Sequence, residues 1–432
     1  MTIPFTSVQG LAGGMELGIV QTGEFELKHR TGSLNLGAPI AEANRKLLGW
    51  SWEGNYTDKV DKLHVKSVPF VSSNAPCAAF STLSVGSYRG VDAPILSCTD
   101  EVYTYASLMA TPPQIIAIES VQQAYSTGRA YYQRKRDELE DKTGQKYDLV
   151  WMMQSNAAVG GASLRKRVFV IYTRIPFGVE YAQPYRVARF GDAVRDLEGL
   201  ASTSRTQPYV RPGTWWSSIR RSPDGVDGHW VPKISEQYKQ LMDTAAAMGE
   251  PWTPGEQLGD VLRRVHESGR ELPYEWQRRV DKMIAKNWNL GINQTGMWNP
   301  NKMGHVVTGA GPLMSTHYKE HRLLTYRETF RLQGFPDDWR LWPVRDYKKL
   351  GACPGKGVPV DAGRYLGKWV ADSINGCHGT VQGKTIGERE RFIDITHSYK
   401  HTLSSDAPWR YPANTVHSQR SLEVDKTSEL AA

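Results

Sequence analysis

The amino-acid sequence predicts an α/β domain built on a mostly parallel sheet and split by a smaller inserted domain. Short apolar runs alternate with helix-patterned stretches as far as about residue 175, as they do when helices cover both faces of a sheet. Residues 201–305 break that rhythm, holding half of the 14 tryptophans together with many glycines and prolines. Beyond about His305 the regular pattern returns.

Taken in order, the segment ending at Gly10 is the first strand, followed by strands at 68–72, 115–118, 149–153 and 168–172. Each is a short apolar run of the kind buried on both faces of a sheet. Helices are expected at 40–48 and 121–139, between the strands. In FGDAVRDLEGL, Val194, Leu197 and Leu200 fall three apart, one face of a short helix. In the returning part, Thr325 and Glu328 have the spacing of a capping box, and Gly334 ends that helix. From about Gly379 the chain turns polar and loses its periodicity, so loops or an interaction arm are expected. The expected organisation is 1–200 for the first part of the α/β domain and 201–305 for the insert. Residues 306–378 form the returning part and 379–432 a C-terminal extension.

The chain has 432 residues, 40% of them hydrophobic, which excludes a disordered chain and leaves material for two or three cores. No apolar run approaches the ~20 residues that span a bilayer, and the sequence MTIPFTSVQG lacks the charged-then-apolar pattern of a secretion signal. A membrane or secreted protein is therefore not expected, and a cytoplasmic one is. Four cysteines without metal-ligand spacing suit a reducing compartment and no metal site. A net charge of +8 is compatible with a polyanionic partner.

Four places can carry chemistry. SVQGLAGGMELGI places Gly10, Gly13 and Gly14 after a strand, where a tight turn approaches a cofactor, and Glu42 stands downstream as a candidate for ribose hydroxyls. A plain glycine-rich turn reads the same way. In NAPCAAFS, Cys77 follows a strand at the sheet end where doubly wound folds bind ligands, although an inert buried thiol is the commoner case. Glu119 closes the apolar run PPQIIAIES, so it must be paired, neutralised or open to a cleft. In LRKRVFVIY, Arg165 and Arg167 alternate, which sends two guanidinium groups into one cleft or leaves them on a solvated strand end.

These features, in this order and with the late segment LTYRETFRLQGFPDDW, resemble the cytosine-5 DNA methyltransferase family over about residues 7–200 and 305–378. The resemblance implies a Rossmann-like, S-adenosylmethionine-dependent methyltransferase fold whose insert reads DNA. It also implies a reaction on a cytosine flipped out of double-stranded DNA, in restriction systems or phages. Cys77 would attack carbon 6 of the ring, Glu119 would protonate or hydrogen-bond N3, and Arg165 and Arg167 would hold the base oxygen, Glu119 and nearby phosphate. Gly10, Gly13, Gly14 and Glu42 would cradle the cofactor, while Arg205, Arg211, Arg220 and Arg221 of the insert would meet DNA. No protein partner is implied, and the host is expected to be a bacterium or a phage-infected cell.

Several positions depart from the family pattern. Leu11 or one extra residue interrupts the glycine turn, Ala78 replaces Gln, Ser120 replaces Asn, and Ser163 replaces Gln. In GRYLGKWV, Gly367-Lys368 stands for the family's Gly-Asn near the cofactor. A lysine ~5 Å from a sulfonium would be repelled by about 3 kcal/mol at an effective dielectric near 20. The sign reverses for a donor that carries a carboxylate. Carboxy-S-adenosyl-L-methionine, and hence a DNA cytosine carboxymethyltransferase, is therefore the expected specialisation. The rivals are an ordinary methyltransferase using S-adenosyl-L-methionine, a non-catalytic DNA-binding protein, and an RNA cytosine methyltransferase.

Overall fold

The computed structural model describes residues 2–32, 37–49, 51–55, 65–81, 89–180, 188–199, 231–232, 234–288, 295–341, 347–377 and 379–396. The chain enters through β1 (Ile3–Gly10), α1 (Gly14–Gln21), β2 (Phe25–Gly32), α2 (Gly37–Ala43), α3 (Arg45–Leu48), β3 (Glu53–Asn55) and β4 (Phe70–Ser73). It continues through α4 (Ser97–Ser107), β5 (Ile115–Ser120), α5 (Ala124–Thr127), α6 (Arg129–Thr143), β6 (Asp148–Ser155), β7 (Lys166–Thr173) and α7 (Phe190–Val194). Three helices follow, α8 (Ser235–Ala247), α9 (Leu258–Glu267) and α10 (Tyr274–Ile284). The short pair β8 (Gly296–Met297) and β9 (Ser315–Thr316) leads to α11 (Tyr326–Arg331), α12 (Tyr347–Lys356) and α13 (Val360–Ile374). The hairpin β10 (Lys384–Gly387) and β11 (Glu390–Ile395) comes last.

Nine strands form one mixed sheet in the order β10-β11-β6-β7-β5-β4-β1-β2-β3. β7 runs antiparallel to both its neighbours, and β10 runs antiparallel to β11. The remaining pairings are parallel. The expected strands at 115–118, 149–153 and 168–172 are present and slightly longer. Their Ile, Val and Phe side chains alternate between two buried layers, one packed under α1 and α13 and the other under α4 and α6. The helix expected at 40–48 breaks at Asn44, whose side chain bonds the carbonyls of Ile40 and Arg340. The helix expected at 121–139 divides at Gly128.

Two strands lay hidden in polar sequence. β2 reads FELKHRTG; Glu26 and Lys28 stay half-exposed, while His29, Arg30 and Thr31 are buried. The Arg30 guanidinium pairs with Glu16 of α1 at 3.0 Å, both side chains being buried, and Thr31 Oγ1 accepts the Gln9 amide. The polar stretch after Gly379 is likewise no loose arm where the structure describes it. β11 adds to the edge of the sheet beside β6. Glu390 anchors it, accepting from Arg129, Gln133 and the Trp151 indole. Polar residues enter a sheet when each buried group finds a partner, and hydrophobic periodicity cannot report that.

The helices α8, α9 and α10 close a separate apolar core around Leu241, Val261, Leu262, Trp276 and Val280. Candidate DNA contacts Arg205, Arg211, Arg220 and Arg221 lie outside the described residues. Among the described residues no helix is long and apolar enough to cross a membrane.

Candidate active site

The direction of chain progression reverses between β1 and β4. β2 and β3 lie on one side of β1, and β4 and β5 on the other. In open α/β sheets, the crevice at the carboxyl ends of such a pair is where ligands bind. Here the glycine turn leaves β1 and the Cys77 loop leaves β4, so the topology brings both to the same crevice.

The turn between β1 and α1 requires unusual backbone. Gln9 and Gly13 take positive φ, 59° and 91°, and a Cβ at Gly10 would stand 2.2 Å from Glu16 Oε1. Beneath the turn, Ser7 Oγ and Arg30 Nε donate to Glu16 Oε1, while Arg30 Nη2 holds the Leu11 carbonyl at 2.7 Å. The turn is therefore fixed by a buried ion pair before any ligand arrives.

After β4, the chain runs Asn74-Ala75-Pro76-Cys77 into a single helical turn, Ala78–Phe80. Cys77 is part-exposed. Burial pushes its thiol up, and the Glu119 carboxyl adds to the rise, whereas Arg167 and Arg165 oppose it. Glu119, at the end of β5, is buried. Burial raises its pKa despite the charges of Arg167 and Arg165 and the hydrogen bond from Asn74. Its Oε1 lies 2.8 Å from Arg167 Nε, and its Oε2 accepts from Asn74 Nδ2 at 2.8 Å. A thiol and a carboxyl group that are both shifted toward their protonated forms, with two arginines at hand, suit a step in which one proton leaves as another is delivered.

Arg165 and Arg167 separate in role. Arg167 reaches Glu119, as its position on β7 allows. Arg165, one residue before the strand, donates to the carbonyls of Val307 and Gly357 at 2.8 and 2.9 Å. It thus ties the returning part of the chain to the site. Burial, then Arg167, lowers the pKa of Arg165.

Two further residues singled out in the sequence, Glu42 and Lys368, stand apart from this cluster. Glu42 sits on α2 and is ion-paired with Arg45 at 3.1 Å, its side chain 40% exposed. That part-exposed carboxylate is engaged by a neighbour on its own stretch of chain, and a ribose at this position would compete with the pair. Lys368 lies midway along α13, beside the residue that packs on the far end of α1. Gly363 packs against Met15 near the start of α1, but Gly367 packs against Ile19 and Thr22 at its end. Lys368 influences Asp372, alongside Glu24 and Glu180, well down from the glycine turn. The glycine before it serves close packing of α13 on α1, and no cofactor contact is needed to explain it.

The segment that lies over the turn is the link from α12 to α13, about ten residues earlier. A Cβ on Gly14 would stand 2.1 Å from the Val358 carbonyl, and Gly357 faces both Ala12 and Asn74. Lys356, exposed at the end of α12, immediately precedes it. Asn74, Lys356 and Gly357 escaped the sequence reading, although the run GKGVP has the glycine spacing that permits close backbone approach.

Residues 12–371 match the model of the C-5 cytosine-specific DNA methylase family. The chain belongs to this family. It is 32% identical over 130 residues to the type II methyltransferase M.PspPI of Psychrobacter sp. (strain TA137), covering 28% of this chain and 30% of that one. To M.Eco47II of Escherichia coli it is 29% identical over 175 residues, covering 35% and 40%. The matches thus span about a third of the length of these curated relatives. A structure titled as a DNA modification methyltransferase encoded within an E. coli prophage superposes with a TM-score of 0.59 at 15% identity. That match covers 87% of this chain and all of the other, and shares the fold. Among the described residues no group of side chains could hold a metal ion.

Proposed function

We propose that this family member transfers a methyl group from S-adenosyl-L-methionine to carbon 5 of a cytosine turned out of double-stranded DNA. One observation carries the reading. Cys77 and Glu119 leave adjacent strand ends, within electrostatic reach of each other and beside the turn that follows β1.

The residues present fit the cofactor in backbone form. The turn at Leu11–Gly14 is tight and pre-fixed, and the start of α1 offers the positive end of a helix to a carboxylate. Gly10, Gly13 and Gly14 would shape that cradle, with Gly357 closing it. When bound, the cofactor supplies an electrophilic methyl group.

The protein's part follows from its groups. A cytosine cannot be attacked inside the stack, so the base enters the crevice unpaired. The Cys77 thiol gives its proton to solvent as its sulfur bonds to carbon 6, and Glu119 gives its proton to N3, which keeps negative charge off the ring. Carbon 5 would then take the methyl group, the cofactor leaving as a neutral thioether; a solvent base removes the carbon 5 proton as the bond from carbon 6 to Cys77 breaks, and N3 returns its proton to Glu119. Arg167 orients Glu119 throughout, and Arg165 holds the walls of the crevice together. Arg205, Arg211, Arg220 and Arg221 are proposed to serve DNA in the insert.

A carboxymethyl donor is the second reading, and what favours it is Lys356 in place of Lys368. Lys356 is an exposed cation one residue from the segment that meets Ala12 and Asn74. The test uses DNA containing cytosine or 5-fluorocytosine, with each cofactor separately, followed by weighing of the nucleosides. A Cys77 adduct and 5-methylcytosine are expected. No adduct overturns the reaction, while carboxymethylcytosine replaces the donor.

A further inference from the structure

We propose that Asn74 is a positioning residue that governs how readily the Glu119 carboxyl parts with its proton. The inference rests on the proposed reaction and deepens it. Asn74 is 4% exposed, and a carboxamide taken out of water at that depth must find partners. The loop aims it inward, because Ser73 Oγ accepts the Ala75 amide at 3.2 Å and turns the chain just after β4. Its Nδ2 then donates to Glu119 Oε2 at 2.8 Å. Its Oδ1 lies 3.9 Å from where a Cβ on Gly357 would stand. Asn74 therefore fills the space between the proton donor and the segment covering the glycine turn.

The chemistry follows from what a carboxamide offers. Its NH2 group donates to an ionised carboxylate, and its oxygen, after rotation of the amide, accepts from a protonated one. Asn74 can accompany Glu119 through both states without leaving a buried group unpaired. The other ionisable groups facing Glu119 are Arg167 from β7 and Arg165 just before it, Cys77 from the loop after β4, and Tyr132 from α6. Arg167 engages Oε1, so Asn74 alone among the described contacts addresses Oε2.

The sign is set by the ionised form. Losing the Nδ2 donor removes stabilisation of the carboxylate, so the acid form of Glu119 persists to higher pH. The experiment measures the single-turnover methyl-transfer rate against pH, using the full chain, cytosine DNA and S-adenosyl-L-methionine, for the wild type, Asn74→Ala and Asn74→Ser. In Asn74→Ala the high-pH limb moves upward by about one unit, the worth of a hydrogen bond to a charged group. Asn74→Ser, which keeps a hydroxyl donor, moves it less and carries the comparison should the alanine variant fail to fold. Trapping on 5-fluorocytosine DNA is run alongside. Adduct formation with an unmoved or lowered limb in the folded variants overturns the role of Asn74 alone. No adduct in the wild type overturns the proposed reaction, and this inference with it.

Discussion

Two buried clusters of this protein use the same residue types to opposite ends. Around Cys77, Glu119 meets Arg165 and Arg167. Under α11, Glu328 meets Arg322, and the second cluster is saturated. Arg322 donates to both oxygens of Glu328 at 2.8 and 2.7 Å, to Glu320 at 2.7 Å and to the Leu323 carbonyl. Glu328 also closes the capping box with Thr325. Although burial lowers it, Glu328 and Glu320 hold the Arg322 guanidinium above its usual range. In the first cluster the balance runs the other way, as burial outweighs pairing and raises Glu119. Burial of charge therefore does not mark a functional site. What distinguishes the site is that its groups are held away from their preferred charge states and stand beside an accessible thiol.

The comparison can be broken by substitution. The largest effect is expected at Cys77→Ser, with turnover falling by about 10⁴-fold or more and no 5-fluorocytosine adduct, while thermal stability stays near wild type. Glu119→Gln should cost about 10²–10⁴-fold in rate, measured by single turnover. The same variant should gain stability relative to the wild type as pH rises. An acid raised in the folded state contributes stability fully below the ordinary carboxylate range and loses it as pH climbs through the raised value. Thermal unfolding across pH reads this, and a wild type that instead gains on the variant as pH rises would refute the sign.

In the paired cluster the pattern should invert. Glu328→Gln leaves a buried guanidinium short of charge and should cost about 3–5 kcal/mol of stability by denaturant unfolding, with the rate per folded molecule little changed. The smallest effect is expected at Lys368→Asn. Cofactor preference in a competition between the two donors should not move, and stability should stay within about 0.5 kcal/mol.

Much of this contrast was legible in the chain itself. IIAIES and KRVFVIYT announce strands because parallel-sheet positions are apolar on both faces, and a glutamate or arginine at their ends has few places to go. The Thr325–Glu328 box forms where it was expected because its spacing is a local, backbone-scale property. By contrast, β2 and β11 stayed hidden because their polar residues are licensed by partners far along the chain, Arg30 by Glu16 and Glu390 by Arg129. Asn74 was overlooked for the same reason, since its meaning lies in a carboxylate 45 residues away.

The sequence by itself determined the order of the proposed site residues, Cys77, Glu119, then the arginines, and the apolar strands that deliver them, because residue type and short-range pattern carry that information. Only the tertiary structure decided which end of α13 meets the glycine turn, and so which lysine stands near the crevice. A helix packs along its whole length, and Gly363 and Gly367 differ only in which part of α1 they touch.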